Sequence, residues 1–150
     1  MIHIYVDADA CPVKDEVYRV AERYGLPVTL VANSYMRIPG SDRVKLVVVD
    51  KGLDEADDWI VEQAGPDDIV ITGDIPLAAR CLDEGALVLG HKGRPFTKEN
   101  VGDSLATRQL LKQLRDQDVM MGGPPPFAKK DRSLFLQQLD QMVNAIRRGD

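Results

Sequence analysis

Apolar residues fall in short uninterrupted runs that alternate with stretches of helical periodicity. The first run, Ile2–Val6, ends at Asp7. Pro12 follows where a first helical turn tolerates its missing N–H, and a helix is expected over Val13–Tyr24. That helix carries Asp15 and Glu16 early and Arg19 and Arg23 late, the polarity its dipole prefers, and stops at Gly25. A second strand is expected at Val28–Ala32, then a turn-rich connection from Asn33 to Asp42, then a third strand, Lys45–Val49, ending at Asp50. Helix two is expected at Asp54–Ala64, halted by Gly65 and Pro66. Strand four, Asp68–Ile71, runs into Thr72-Gly73-Asp74; Pro76 opens helix three, Gly85 closes it, and Ala86–Leu89 is strand five. Strands that are continuously apolar and separated by helices belong to a parallel sheet covered on both faces, because a one-sided sheet would alternate. The expectation is an α/β three-layer sandwich around a central, mostly parallel five-stranded sheet.

Beyond Gly90 the rhythm changes. Leu105–Asp116 reads as a helix, Gly122-Gly-Pro-Pro-Pro126 breaks the chain, and a last helix is expected at Ser133–Arg147. Its stripe of Phe135, Leu139, Met142, Val143 and Ile146 must dock, either on its own domain or on a second subunit, which leaves a homo-oligomer open. No internal repeat is present, and the residues after the Gly/Pro break are too few for a second core. Residues 1–150 are read as one domain with a C-terminal helical extension from about residue 105.

Composition adds bounds. With 150 residues, 44% of them hydrophobic and 29% charged, the chain can build a core and is not a disordered polymer. The net charge of −5 conceals two halves: residues 1–90 hold 8 Lys/Arg against 17 Asp/Glu, and residues 91–150 hold 11 against 7. A uniformly basic nucleic-acid binder is thereby excluded. No apolar stretch approaches the roughly 18 residues of a membrane span, and the first ten residues lack a basic region followed by an apolar one, so no membrane association and a cytoplasmic location are expected. Cys11 and Cys81 are read as buried free thiols.

The chemistry concentrates at strand ends. In open parallel sheets ligands bind at the carboxyl edge, and here Asp7 and Asp9 follow strand one, Asp50 strand three and Asp74 strand four. Grouped carboxylates repel unless a cation neutralises them, and hard oxygen donors suit Mg²⁺ or Mn²⁺. On helix two, Leu53, Ala56, Ile60 and Ala64 define the buried face; Asp57 lies at its edge and Asp58 points away. The ordinary roles are Asp54 and Asp74 as helix caps and Asp58 as solvated surface. The basic half offers a counterpart for phosphates: Arg108, Lys112 and Arg115 form a helical ridge, with Lys92, Arg94, Lys129, Lys130 and Arg132 in flanking loops. Lys14 is a further candidate for a phosphate oxygen, and Tyr35 and Phe96 for stacking on bases. His3 and His91 read as strand and loop residues, since no Ser or Cys motif accompanies them.

At Val6-Asp-Ala-Asp-Ala-Cys-Pro-Val-Lys14 the chain resembles the YaiI/YqxD family of uncharacterised bacterial proteins. Further matches are Ala32-Asn-Ser34, Ala56-Asp-Asp58, Ile71-Thr-Gly-Asp-Ile-Pro-Leu-Ala78, Gly123-Pro-Pro-Pro-Phe127 and Lys130-Asp-Arg132, so the resemblance spans essentially the whole chain. It implies a PIN-like fold, many of whose members are Mg²⁺- or Mn²⁺-dependent ribonucleases. Their acidic pattern falls on Asp7, Asp57 and Thr72/Asp74, with Asp9 as an added acid; the separate Glu of an earlier helix has no match.

Two rival chemistries share this layout. A haloacid-dehalogenase-type phosphatase would use Asp7 as nucleophile, Asp9 as general acid, Ser34 and Gly73-Asp74, but Ala78 and Ala79 stand where its second late acid belongs. A phosphoacceptor receiver would use Asp7/Asp9, Asp50, Thr72 and Lys92, but Asp50 is followed by Lys-Gly-Leu. A binding module without turnover, holding RNA or metal, is the third class. The leading expectation is phosphodiester hydrolysis in RNA, with Asp7, Asp9 and Asp74 as metal ligands, Asp57 as an additional or water-bridged ligand, and Thr72 or Ser34 orienting water or phosphate.

Overall fold

In the computed structural model, which describes residues 2–52, 54–103 and 126–149, the chain runs β1 (Ile4–Asp7), α1 (Lys14–Tyr24), β2 (Val28–Ala32), β3 (Val44–Val48), α2 (Glu55–Gln63), β4 (Ile69–Ile71), α3 (Ile75–Asp83), β5 (Leu87–Leu89), β6 (Pro95–Phe96) and α4 (Lys129–Arg148). The strands form one sheet in the order β3-β2-β1-β4-β5-β6. The first five are mutually parallel, and β6 pairs antiparallel with β5. The sheet therefore has six strands rather than the expected five. The extra strand is two residues long and starts with proline, too short to show a period; at a sheet edge the missing proline N–H breaks no ladder.

Alternation along the strands feeds two cores. Ile4, Val6, Val28, Leu30, Ile69, Ile71 and Leu89 pack with Val13, Val17 and Val20 around α1 and with Phe135, Leu139 and Val143 of α4. Tyr5, Val31, Val70 and Val88 pack instead with Ile60 of α2 and Leu77, Ala78 and Cys81 of α3. Both cysteines are buried free thiols, as read from the sequence. Burial raises both, the Cys81 thiol to about 12, so neither is a thiolate near neutral pH.

The apolar stripe of α4 docks on its own domain. Phe135, Leu139 and Val143 are fully buried, and Met142 and Ile146 pack beside them. At ~1.5–3 kcal/mol per buried side chain this outweighs the surface ion pairs at its flank, which contribute about 1 kcal/mol or less each. Those pairs set the register: Asp140 accepts from Arg23 Nη1 at 2.8 Å and Tyr24 Oη at 2.7 Å, and Asn144 Nδ2 donates to the same tyrosine oxygen at 3.0 Å. Farther up the helix, Arg132 Nη1 donates to Glu16 Oε1 at 2.7 Å and to the Pro12 carbonyl at 2.9 Å.

Element ends differ from expectation where side chains, not periodicity, decide them. The α4 helix starts at Lys129 rather than Ser133, because the Asp131 carboxylate takes the Ala128 N–H at 2.9 Å. The α1 helix starts at Lys14, two residues past Pro12. Asp54 stands at the α2 N-cap but in a left-handed conformation (φ 64°) with no side-chain cap bond. Asp74 does cap α3: its Oδ1 accepts from Leu77 N at 3.0 Å, with proline in the first turn. The expected helix Leu105–Asp116, with Arg108, Lys112 and Arg115, and the Gly/Pro break at 122–125 lie outside the described residues. No helix among the described residues is long and apolar enough to cross a membrane.

Candidate functional site

The strand order creates the site. From β1 the chain builds β2 and β3 to one side, then returns to place β4 on the other. The crevice at such a reversal, at the carboxyl edge, is where open α/β sheets bind ligands. Asp7 ends β1, and Thr72-Gly73-Asp74 leaves the adjacent β4, with Val6 opposite Ile71 in register.

Thr72 links the two strand ends. Its side chain is fully buried; Oγ1 donates to Asp7 Oδ2 at 2.9 Å and accepts the Asp74 backbone N–H at 3.0 Å. One hydroxyl thus fixes one oxygen of Asp7 and the turn that carries Asp74. Asp7 is half-buried, and burial pushes its pKa up; the Thr72 hydrogen bond opposes this, and Asp74 and then Asp9 reinforce it. From α2, Asp57 sits half-buried at the edge of the apolar face, as its spacing predicts, while Asp58 is exposed and pairs with Arg80 at 2.9 Å. Asp57 is pushed up to about 6, first by burial, then by Asp74, Asp7 and Asp54, with Arg80 opposing. Asp7, Asp57 and Asp74 therefore feel one another's charge.

Asp9 stands apart. It is exposed, and its Oδ2 accepts the Asn33 backbone N–H at 2.9 Å, stitching the β1 exit to the β2 exit that carries Ser34 and Tyr35. Between them Ala10 adopts a left-handed conformation (φ 62°), which a residue bearing Cβ visits only at a cost. Lys14 Nζ reaches back to the Cys11 carbonyl at 3.2 Å and the Ala8 carbonyl at 3.5 Å, bracing this loop.

His91 is the neighbour that sequence reasoning missed. A Cβ on Gly73 would come within 3.2 Å of its Cε1 and Nδ1, so the imidazole lies against the Thr72-Gly73-Asp74 turn and would have to shift by a few tenths of an ångström for any larger residue there. Its Nε2 is buried with no hydrogen-bond partner among the described residues. Burial, helped by Lys14, lowers its pKa and keeps it neutral. The available signal was position: His91 follows β5, which lies beside β4, so its loop overhangs the β4 exit. His3 packs structurally, stacked on Tyr5 at 4.3 Å with a 2.7 Å hydrogen bond to Thr29.

Of the basic residues expected in loops, Lys129, Lys130 and Arg132 lie in the first turn of α4. A Cβ on Gly93 would meet the Leu134 carbonyl carbon at 2.7 Å and Phe135 N at 2.8 Å, which seats the turn between Lys92 and Arg94 on α4 at Leu134 and Phe135. Phe96 is half-buried against Gly90 and belongs to the second core, so it is no stacking platform. Asp50 is exposed past the β3 edge. Among the described residues no three His, Cys, Asp or Glu side chains form a ready-made metal cage.

Similarity to known proteins agrees with the motifs that line this crevice. A family model described as the uncharacterised YaiI/YqxD family matches residues 5–145. A UPF0178 protein of Parvibaculum lavamentivorans is 61% identical over 148 residues, covering 99% of this chain and 97% of the relative. UPF0178 proteins of Nitrobacter winogradskyi and Paramagnetospirillum magneticum are 53% and 55% identical, each over 99% of this chain and over 94% and 98% of the relative. No solved structure matches. Asp7, Asp9, Asp57, Thr72, Asp74 and Arg132 all fall inside the matched span, and the chain belongs to the YaiI/YqxD family.

Proposed function

We propose that this protein is a PIN-like, Mg²⁺- or Mn²⁺-dependent hydrolase of phosphodiesters, with RNA as substrate. The observation that carries the reading is the buried Thr72 hydroxyl that ties the Asp7 carboxylate to the Asp74 turn at the crevice between β1 and β4, with Asp57 of α2 feeling the charge of both acids. Carboxylates that raise one another's pKa are a liability in the protein alone, and a cation bound near one or two of them would relieve that repulsion.

The donor chemistry suits a hard cation. Among the described residues no three His, Cys, Asp or Glu side chains form a ready-made cage, so a Mg²⁺ here would keep several waters and take only one or two carboxylates directly. A bound cation would lower the pKa of water and offset charge building on the phosphate. The chain's own part is positional. Thr72 holds one oxygen of Asp7 and capping of α3 uses one oxygen of Asp74, so the second oxygen of each would be the one to meet a cation. Asp57, at the rim of α2, would serve as an additional or water-bridged ligand, and its pKa of about 6 would suit it to take up a proton from water. Lys92, Arg94, Lys129 and Lys130 supply positive charge for flanking phosphates.

The phosphatase alternative finds less support. The late acid it needs is replaced by Ala78, whose side chain is fully buried in the core and faces no ligand. Incubation with Mn²⁺ or Mg²⁺ and labelled single-stranded RNA, single-stranded DNA or p-nitrophenyl phosphate separates the readings. Hydrolysis of RNA that EDTA stops and Asp74→Asn abolishes is the expected result. Cleavage that survives in Asp74→Asn would overturn the proposal.

A further inference from the structure

On the β2 side of the crevice the exit segment alternates between inside and outside. Met36 and Ile38 turn inward and pack against the first core, while Tyr35 and Arg37 turn outward. Tyr35 is 81% exposed, the most exposed large hydrophobic side chain among the described residues. The backbone on either side is tethered: Asp9 accepts the Asn33 N–H two residues earlier, and Met36, the next residue, packs half-buried against the first core. Its neighbours in sequence, Ser34, Arg37, Pro39 and Gly40, are exposed and carry no large apolar side chain beside the ring. A protein partner would leave one tyrosine as its whole hydrophobic contact. A solvent-facing aromatic on a tethered segment, with a cation two residues along, suits a different ligand, one with a flat π-face and a phosphate spaced along a flexible chain.

We infer that Tyr35 and Arg37 form a binding ledge for single-stranded nucleic acid, a base stacking on Tyr35 and an adjacent phosphate meeting Arg37, on the opposite side of the carboxylates from Lys92 and Arg94. This deepens the nuclease reading, since it names an unpaired strand as the substrate. In a duplex the base faces are covered by their neighbours, and the ledge has nothing to stack on. The ledge also binds independently of hydrolysis, so the two ideas can fail separately.

The test is fluorescence anisotropy of a labelled single-stranded oligoribonucleotide and of the same strand in a duplex, in EDTA, with cleavage scored separately in Mn²⁺. Tyr35→Ala should weaken single-strand binding about tenfold and leave duplex binding within about twofold, and Tyr35→Phe should restore binding because stacking needs only the ring. Arg37→Ala should weaken binding and reduce its salt slope by about one phosphate contact. Wild-type protein that does not bind the single strand, a Tyr35→Ala variant that binds as wild type does, or an equal loss on duplex would overturn the ledge. Binding that follows this pattern without any cleavage would support the ledge and remove only the hydrolytic reading.

Discussion

The Thr72 hydroxyl donates to the Asp7 carboxylate at 2.9 Å across the ends of two neighbouring parallel strands, and it does so from a fully buried position. Because the same oxygen accepts the Asp74 N–H, this contact couples the pocket's central acid to the turn that carries its partner. Thr72→Val keeps the shape and removes the hydroxyl. An Asp7 oxygen and a backbone N–H then lose their partner, which should cost about 1–3 kcal/mol. Chemical denaturation should show the loss, and any metal-dependent activity should fall with it. Unchanged stability would mean that water replaces the hydroxyl.

Asp74 has two separable roles, capping α3 and contributing charge to the crevice. Asparagine caps a helix about as well as aspartate, whereas alanine costs about 1 kcal/mol. Asp74→Asn keeps the cap and relieves repulsion on Asp57 and Asp7, so at neutral pH it should melt at or slightly above wild type yet lose hydrolysis, while Asp74→Ala should melt a few degrees below Asp74→Asn. Comparing melting temperatures with activity separates the roles. If Asp74→Asn were as unstable as Asp74→Ala, capping would not be the structural part.

Crowded carboxylates make stability depend on pH. The folded-state pKa values of Asp57 and Asp7 are raised, so the folded protein binds protons more tightly than the unfolded chain, and this part of its stability is lost as pH rises toward and through about 6. Asp57→Asn removes part of the repulsion. In EDTA it should match wild type near about pH 4 and exceed it from about pH 7 upward, by about 1 kcal/mol once solvent screening of this half-exposed group is allowed for. Millimolar Mn²⁺ should raise the wild-type melting temperature at neutral pH more than that of Asp57→Asn. A gap that is constant across pH would show that the substitution acts through packing instead.

Arg132 ties α4 both to Glu16 of α1 and, through the Pro12 carbonyl, to the loop that follows β1. Glu16 is buried to 7% exposure, so Arg132→Ala would strand its carboxylate and free the Pro12 carbonyl. A loss of about 2–3 kcal/mol is expected, more than for an exposed ion pair. Glu16→Gln with Arg132 intact should cost less, since the amide oxygen still accepts. Hydrogen exchange at residues 8–13 should quicken in Arg132→Ala; exchange confined to α4 would argue that the pair serves the helix alone.

How much of this was legible in the chain depended on the range of the force involved. β2 falls at Val28–Ala32 as its apolar run predicts, the Asp57 and Asp58 faces follow from helical spacing, and the α3 cap follows from Asp74 before Pro76, because each rests on neighbours within a few residues. The two-residue β6, the early start of α4 and the burial of Phe96 depend on contacts that no local period encodes.

The sequence by itself determined that aspartates would stand at the ends of buried parallel strands, since hydrophobic runs and the residues that stop them are written in one dimension. Only the tertiary structure decided which of them meet. Strand order sets β4 rather than β3 beside β1, so Asp74 joins Asp7 and Asp50 is left outside; the docking of α4 on α1 likewise pairs Glu16 with Arg132, 116 residues away. Charge interactions fall off steeply with distance through space and are blind to distance along the chain, and the fold alone converts one into the other.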